Sequence, residues 1–283
     1  MWYTNVYLRF PGGKAKCLTL SYDDCVQQDA QLCDLMETYG IAGTFNINTG
    51  KYVSEDHVFA PGQIHRIFTR DQATALYSRS PLFEVATHSY THPYLQNLPP
   101  VQITHQILAD RLAIEEQFGY ICRGHAYPFG TYNQQVIDCL RACGICYART
   151  VESTRKFSLP EDFLQWHPTC HHRDPQLMAL AEKFLEEPCI KQPRLFYLWG
   201  HTFEFEENNN WHVIEEFCAT VGNKDDIWYA TNIEIIDYME VLKRLQFTCD
   251  CTKVYNPSAQ SAWLEVNDCK IVEVPGGTLV DLT

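Results

Sequence analysis

Ser21-Tyr22-Asp23-Asp24-Cys25 sets two adjacent carboxylates directly after an apolar run, Cys17-Leu18-Thr19-Leu20. Two ionised acids at the end of a buried segment lose hydration and repel each other, so the pair calls for a neutralising partner, and a metal ion answers that need. The run reads as a buried strand, which puts both acids at its carboxyl end, where α/β folds assemble their chemistry. Neighbours on an extended chain point to opposite sides, so Asp23 and Asp24 can take different tasks. The competing reading is a solvated Asp-Asp turn.

Histidines further along favour the metal. His88 and His92 are spaced for a shared ion on a helix or a tight loop, and Pro93 together with the strand before them indicates a loop. Asp24, His88 and His92 each fall just beyond the carboxyl end of an expected parallel strand and therefore converge on one face. Two imidazoles and one carboxylate leave an open position on a zinc-like ion, as hydrolysis requires. His201 follows the apolar stretch 195–200 and can be a hydrogen-bonded core histidine or a proton donor. His171-His172 with Cys170, and Cys139 with Cys143 and Cys146, have metal-compatible spacings but no evident fourth partner.

These groups need a scaffold. Strands are expected near 17–22, 43–47 and 83–87, in the approach to 126–130, and near 145–149, 195–200 and 227–230, with helices over 28–39, 70–78, 101–118, 133–143, 175–186, 211–221 and 233–245. Strand and helix alternate with connections suited to parallel strands. The irregular stretch 50–66, with His57 and His65, reads as an ordered loop over the barrel mouth or rim whose histidines are expected at the surface. Beyond residue 246 the period changes, and Trp263-Leu264-Glu265-Val266 and Ile271-Val272-Glu273-Val274, joined through Asn267-Asp268, form a hairpin.

Composition narrows the partners. With 35 acidic against 22 basic residues and a net charge of -13, the chain is a poor match for phosphate backbones or anionic lipid. No apolar run reaches the roughly 18 to 20 residues needed to span a bilayer, and residues 1–8 lack the pattern of a signal peptide. Thirteen cysteines, several at apolar positions such as Cys33, Cys139, Cys189 and Cys218, indicate free thiols in a reducing cytoplasm, without structural disulfides.

From about residue 15 to about residue 245 the sequence resembles the polysaccharide deacetylases of carbohydrate esterase family 4. Ser21-Tyr22-Asp23-Asp24 is similar to that family's first motif, and His88-Ser89-Tyr90-Thr91-His92 to its second. The resemblance implies a distorted (β/α)7 barrel, Asp23 as general base, and Asp24, His88 and His92 as metal ligands. The third motif, Arg-any-Pro-Tyr-Gly, corresponds to Ala126-Tyr127-Pro128-Phe129-Gly130, so the arginine that orients the base in the family is missing, and Arg123 is out of register to replace it. The Phe129 backbone N–H matches the oxyanion donor, and Tyr127 adjoins it. No fourth motif is recognisable; Trp166 is the candidate groove wall, and Glu152, Asp162 or Asp174 the carboxylate that tunes the catalytic histidine. Leu198-Trp199-Gly200-His201 resembles the fifth motif, implying His201 as general acid and Leu198 as a pocket wall.

The expectation is thus an α/β protein with a barrel over 1–246 and a small β appendage over 247–283. Its function is removal of an N-acetyl group from an amino sugar or small glycan with release of acetate, using a divalent metal, zinc first, with cobalt, nickel or manganese as alternatives. The partners are a small-molecule or oligosaccharide substrate, with no nucleic acid and no membrane, in the cytoplasm. Two other readings are a metal-dependent amidase on a non-sugar carbon-nitrogen bond and a non-catalytic sugar-binding relative.

Overall fold

A computed structural model describes residues 4–188 and 191–283. Met1 to Tyr3 and Cys189, the latter expected as a buried thiol, lie outside the described residues. After a short strand, β1 (Val6–Arg9), comes β2 (Lys16–Asp23), all of whose residues are buried. With residues of both its faces buried, the strand has no solvent side that would impose an apolar–polar alternation.

Strands β3 (Gly43–Ile47), β4 (Phe83–Thr87), β5 (Gly124–Ala126), β6 (Tyr147–Arg149), β7 (Cys170–His171), β8 (Arg194–Gly200) and β9 (Ile227–Tyr229) complete a curled parallel sheet. The order is β6-β5-β4-β3-β2-β8-β7, and β9 pairs with the first residues of β2, on which β3 has no partner. This is the distorted (β/α)7 barrel expected, with its gap between β6 and β7. The two-residue β7 escaped the sequence reading because so short a strand has no period to detect.

Helices α1 (Asp29–Tyr39), α2 (Arg70–Tyr77), α3 (Pro100–Phe118), α4 (Gln134–Ala142), α5 (Leu177–Glu186), α6 (Phe203–Glu207), α7 (His212–Val221) and α8 (Asn232–Arg244) include all seven expected helices; the single-turn α6 was not anticipated. Their ends follow local chemistry. Gly40 stops α1 in the left-handed conformation, and capping boxes, Thr69 with Gln72 and Thr231 with Glu234, start α2 and α8. No helix among the described residues is long and apolar enough to cross a membrane. The twelve described cysteines are free thiols; Cys33 and Cys218 are buried, whereas Cys139 is partly exposed.

After β10 (Gln246–Phe247) and β11 (Lys253–Tyr255), the expected hairpin forms as β12 (Ala262–Val266) and β13 (Lys270–Val274), and β14 (Leu279–Asp281) closes the chain. The hairpin recruits β1 antiparallel onto β12, while β10, β11 and β14 make a second small sheet. The first strand of the chain therefore belongs structurally with its last segment.

A buried carboxyl ties the barrel wall together. Glu84 of β4 accepts hydrogen bonds from Thr44 Oγ1 at 2.8 Å, Tyr147 OH at 2.6 Å and the Ile233 N–H at 2.9 Å, linking β3, β6 and α8. Burial raises its pKa to about 7 against these donors. Between the ordinary glutamate pKa and about 7 the unfolded chain is ionised while the folded one keeps its proton, so this group removes stability as pH rises through that window. The expected loss is on the order of 2 to 3 kcal/mol, and Glu84→Gln should abolish it. Urea unfolding at pH 5 and pH 7.5 checks this: an unchanged pH dependence in the variant would contradict the assignment.

Candidate active site

The two acids that open the site meet in one cleft because the backbone turns between them. β2 ends at Asp23, and Asp24 and Cys25 then adopt φ of 81° and 56°, left-handed values that cost a non-glycine residue roughly 1 to 3 kcal/mol. The turn is held by the Asp24 N–H on Asn46 O at 3.1 Å and by the Phe68 N–H on Cys25 O at 3.0 Å. The strand rule that sent neighbouring side chains to opposite sides stops applying at Asp23, so both carboxylates line the same cleft.

Asp24 Oδ1 lies 3.9 Å from His88 Nε2 and 3.9 Å from His92 Nε2, and it is buried with no hydrogen-bond partner. His88 Nδ1 faces the carbonyl of Ala126 at 2.8 Å and must donate to it, which leaves the Nε2 lone pair bare toward the cleft. The His88 N–H is itself held by buried Asp110 at 3.1 Å. His92 has φ of 58° and packs its ring against His88 and Phe129. Burial lowers the pKa of both histidines, to about 4 for His92, with the neighbouring histidine adding to it there, so both rings are neutral near pH 7. An orphaned carboxylate oxygen facing two neutral imidazoles, too far apart to bond directly, is a donor set that fits a divalent ion.

Asp23 is held on both oxygens. Asn46 Nδ2 donates to Oδ1 at 2.9 Å, and Arg149 Nη2 makes a short charge-assisted bond to Oδ2. Burial alone would push the Asp23 pKa up, but Arg149, followed by His88 and His201, outweighs it and keeps the carboxylate ionised. Arg149 is fully buried at the end of β6, its guanidinium 4.4 Å from the Trp199 ring centroid. It is the register partner of Ala126 across the β5–β6 pair. The arginine absent from position 126 is thus supplied from the adjacent strand. Arg123 instead pairs with Asp237.

His201 follows β8 with Nε2 3.8 Å from Asp23 Oδ2 and Nδ1 3.3 Å from Glu204 Oε1. Burial opposes its charge, yet Glu204 first and then the two aspartates raise its pKa above the ordinary histidine value. Glu204 was missed in the sequence, although His201-x-x-Glu204 on the first turn of α6 was visible as a spacing. The carboxylates proposed there go elsewhere: Asp162 caps the turn at Leu164, Asp174 pairs with Arg155, and Glu152 is largely exposed beside His167.

Glu204 also gathers His171 Nε2 at 3.3 Å, His172 Nε2 at 2.9 Å and Arg173 Nη1 at 3.4 Å. His171, His201 and Glu204 are close enough to suggest a second ion seat. The tautomers argue otherwise. His171 Nδ1 accepts from the Arg173 N–H at 3.1 Å, so its proton sits on Nε2, pointing at Glu204, and Arg173 brings a positive charge of its own. Cys170 is buried in the apolar core.

The cleft measures about 560 Å³ and is lined by Asp23, Asp24, His88, His92, Tyr127, Phe129, Gly130, Val151, Trp199 and His201. Phe129 is half exposed with φ of 59°, stacked on Tyr94 at 3.8 Å. Tyr127 reaches the wall, but its hydroxyl is spent on Leu164 O at 2.7 Å. Two expected wall residues are not there. Trp166 is buried among Tyr147, Phe163 and Tyr197, because its backbone extends the sheet beside Arg149 and turns the indole into the core. Leu198 is fully buried, and by strand alternation the next residue, Trp199, lines the cleft in its place.

Residues 11–148, just under half of the chain, match the family model described as polysaccharide deacetylase. This stretch holds Asp23, Asp24, His88, His92 and Phe129 and ends before Arg149 and His201. No curated protein matches the chain. Among solved structures, a candidate polysaccharide deacetylase from Mycobacterium smegmatis is 15% identical with a TM-score of 0.57, over 84% of this chain and 94% of that one. The Xyl-CE4 domain of a multidomain xylanase from the hindgut metagenome of Trinervitermes trinervoides is 16% identical with a TM-score of 0.50, over 81% and 92%. The Streptococcus pyogenes deacetylase PplD, solved in complex with acetate, is 17% identical with a TM-score of 0.44; the chain spans 61% of its length, through 52% of its own. At these identities the likeness is one of fold.

Proposed function

We propose that the chain is a divergent member of the polysaccharide deacetylase family and that it hydrolyses the N-acetyl amide of an amino sugar or short glycan, releasing acetate and a free amine. The observation that carries this reading is the side-by-side placement of an ionised, arginine-held Asp23 and the Asp24-His88-His92 donor set, with His201 facing Asp23. Asp24, His88 and His92 would hold the divalent ion, zinc by donor type. When bound, such an ion polarises a carbonyl and lowers the pKa of water toward about 7.

The chain's own groups divide the proton work. Asp23 Oδ2 faces His88 and His201, both at 3.8 Å, and takes the proton of the attacking water. His201, whose charged form is favoured by Glu204 Oε1 at 3.3 Å from Nδ1 and by the two aspartates, gives its Nε2 proton to the departing nitrogen. Phe129 lines the cleft, and its backbone N–H would serve as the oxyanion donor. The complete set of Asp23, Arg149, His201 and Glu204 favours catalysis over a purely sugar-binding role. The reduced cysteines fit a cytoplasmic setting and so a small soluble substrate.

The test is acetate and amine release from a panel of N-acetyl amino sugars, short glycans and simple N-acetyl amides, before and after chelation and with zinc restored. Release from the sugars, lost on chelation and regained with zinc, is expected. Turnover confined to the non-sugar amides would move the assignment to an amidase, and turnover indifferent to chelation would remove the metal from it.

A further inference from the structure

His65 belongs to the irregular stretch expected over the barrel mouth or rim with surface histidines, yet its ring reaches into the site. Its Nε2 lies 3.3 Å from Asp24 Oδ2, the carboxylate oxygen that does not face His88 and His92. The ring edge rests on Phe203 at 4.8 Å, beside His201. The segment carrying it is strapped against the chain just past Asp24. The Gln27 N–H donates to Arg66 O at 2.7 Å, Gln28 Nε2 to Ile64 O at 2.6 Å, and Val26 bridges Ile67. Arg66 holds Glu206 of α6 through both terminal nitrogens, at 2.9 and 2.8 Å, and Gln28 reaches the same carboxylate at 2.5 Å.

We infer that His65 is a positioning residue for the metal-binding carboxylate: it donates Nε2–H to Asp24 Oδ2 and so presents Oδ1 alone to the ion. The inference rests on the ion seat proposed above. Asp24 gains from such a hold because its Oδ1 has no hydrogen-bond partner to fix the carboxylate. With Oδ2 occupied, the carboxylate cannot swing to bind through both oxygens. The coordination position that it would then fill stays open for water and substrate. Partners of this kind typically change metal affinity by about 10- to 100-fold when removed. The same strap ties the loop to α6, so the metal carboxylate and the helix that bears Glu204 are held by one set of contacts.

The experiment compares wild type, His65→Ala and His65→Gln, each stripped with chelator and titrated with zinc against a chromophoric competitor. The Co2+ absorption spectrum of each loaded protein is recorded beside it. The glutamine amide can place an N–H near the position of the imidazole Nε2–H. The expected result is a dissociation constant weakened about 10- to 100-fold in His65→Ala and largely restored in His65→Gln, with the Co2+ band positions unchanged in both. Equal affinity in His65→Ala and wild type, or no recovery in His65→Gln, overturns the inference. A shift in the Co2+ bands of His65→Ala also overturns it, since His65 would then be a ligand itself. Failure of wild type to bind zinc is a different outcome, which removes the ion seat and the proposed function with it. Should His65→Ala not fold, His65→Gln against His65→Leu supplies the same contrast.

Discussion

Replacing Asp23 by Asn is expected to remove turnover while leaving zinc binding in place. The carboxylate is the proton acceptor of the proposed reaction, and losing such a group typically costs about 10²- to 10⁴-fold in rate. Zinc stays because the ligand set, Asp24 with His88 and His92, does not include Asp23. The amide oxygen can still accept from Arg149, but as a neutral group it no longer balances a buried guanidinium, so some stability is lost as well. Losing one partner of a buried pair outright costs about 3 to 5 kcal/mol, and the retained hydrogen bond should keep this variant below that figure. Circular dichroism, zinc titration and kcat on one preparation separate the effects. Full activity in Asp23→Asn would show that another group takes the proton.

Arg149→Met carries the second large effect. The substitution keeps length and bulk but leaves the Asp23 carboxylate with only Asn46 as a firm partner. Burial, the largest influence on Asp23, then acts without its main counterweight, and the carboxyl pKa rises. The acid limb of kcat/KM should move to higher pH, and folding stability should fall by about 3 to 5 kcal/mol. Adding Ala126→Arg to this background returns a guanidinium from the register partner on β5, and part of the lost activity should return with it. An acid limb in Arg149→Met that coincides with wild type would mean that Arg149 does not hold the base.

These two residues also mark where sequence reading succeeds and where it stops. Asp23 and Asp24 stood out because an apolar run delivered them, and His88 and His92 because their spacing and preceding strand were local signals. The barrel itself was legible from alternating strand and helix periods, and it placed all four side chains on one face. Arg149 could not be found that way. Its partner is 126 residues away in sequence and meets it only because β6 lies beside β5 in the sheet, a relation no local pattern records.

Glu204 and His65 escaped for related reasons. Glu204 sits on a one-turn helix too short to show a period, and His65 on a stretch whose conformation is set by contacts with residues 25–28 and Glu206. Trp166 and Leu198 were misplaced by the face to which they turn. A shift of one residue in a strand exchanges core for cleft, and the difference between Leu198 and Trp199 is that shift. The first strand, β1, joins the last segment because both have exposed edges to pair, which also cannot be seen along the chain.

Anomalous diffraction at the zinc edge from zinc-soaked crystals tests the ion seat at Asp24, His88 and His92 most directly. A strong peak is predicted within coordination distance, about 2.0 to 2.2 Å, of Asp24 Oδ1, His88 Nε2 and His92 Nε2, with Asp23 still bound to Arg149. A peak at His171, His201 and Glu204 instead, or none beside Asp24 at saturating zinc, would contradict it.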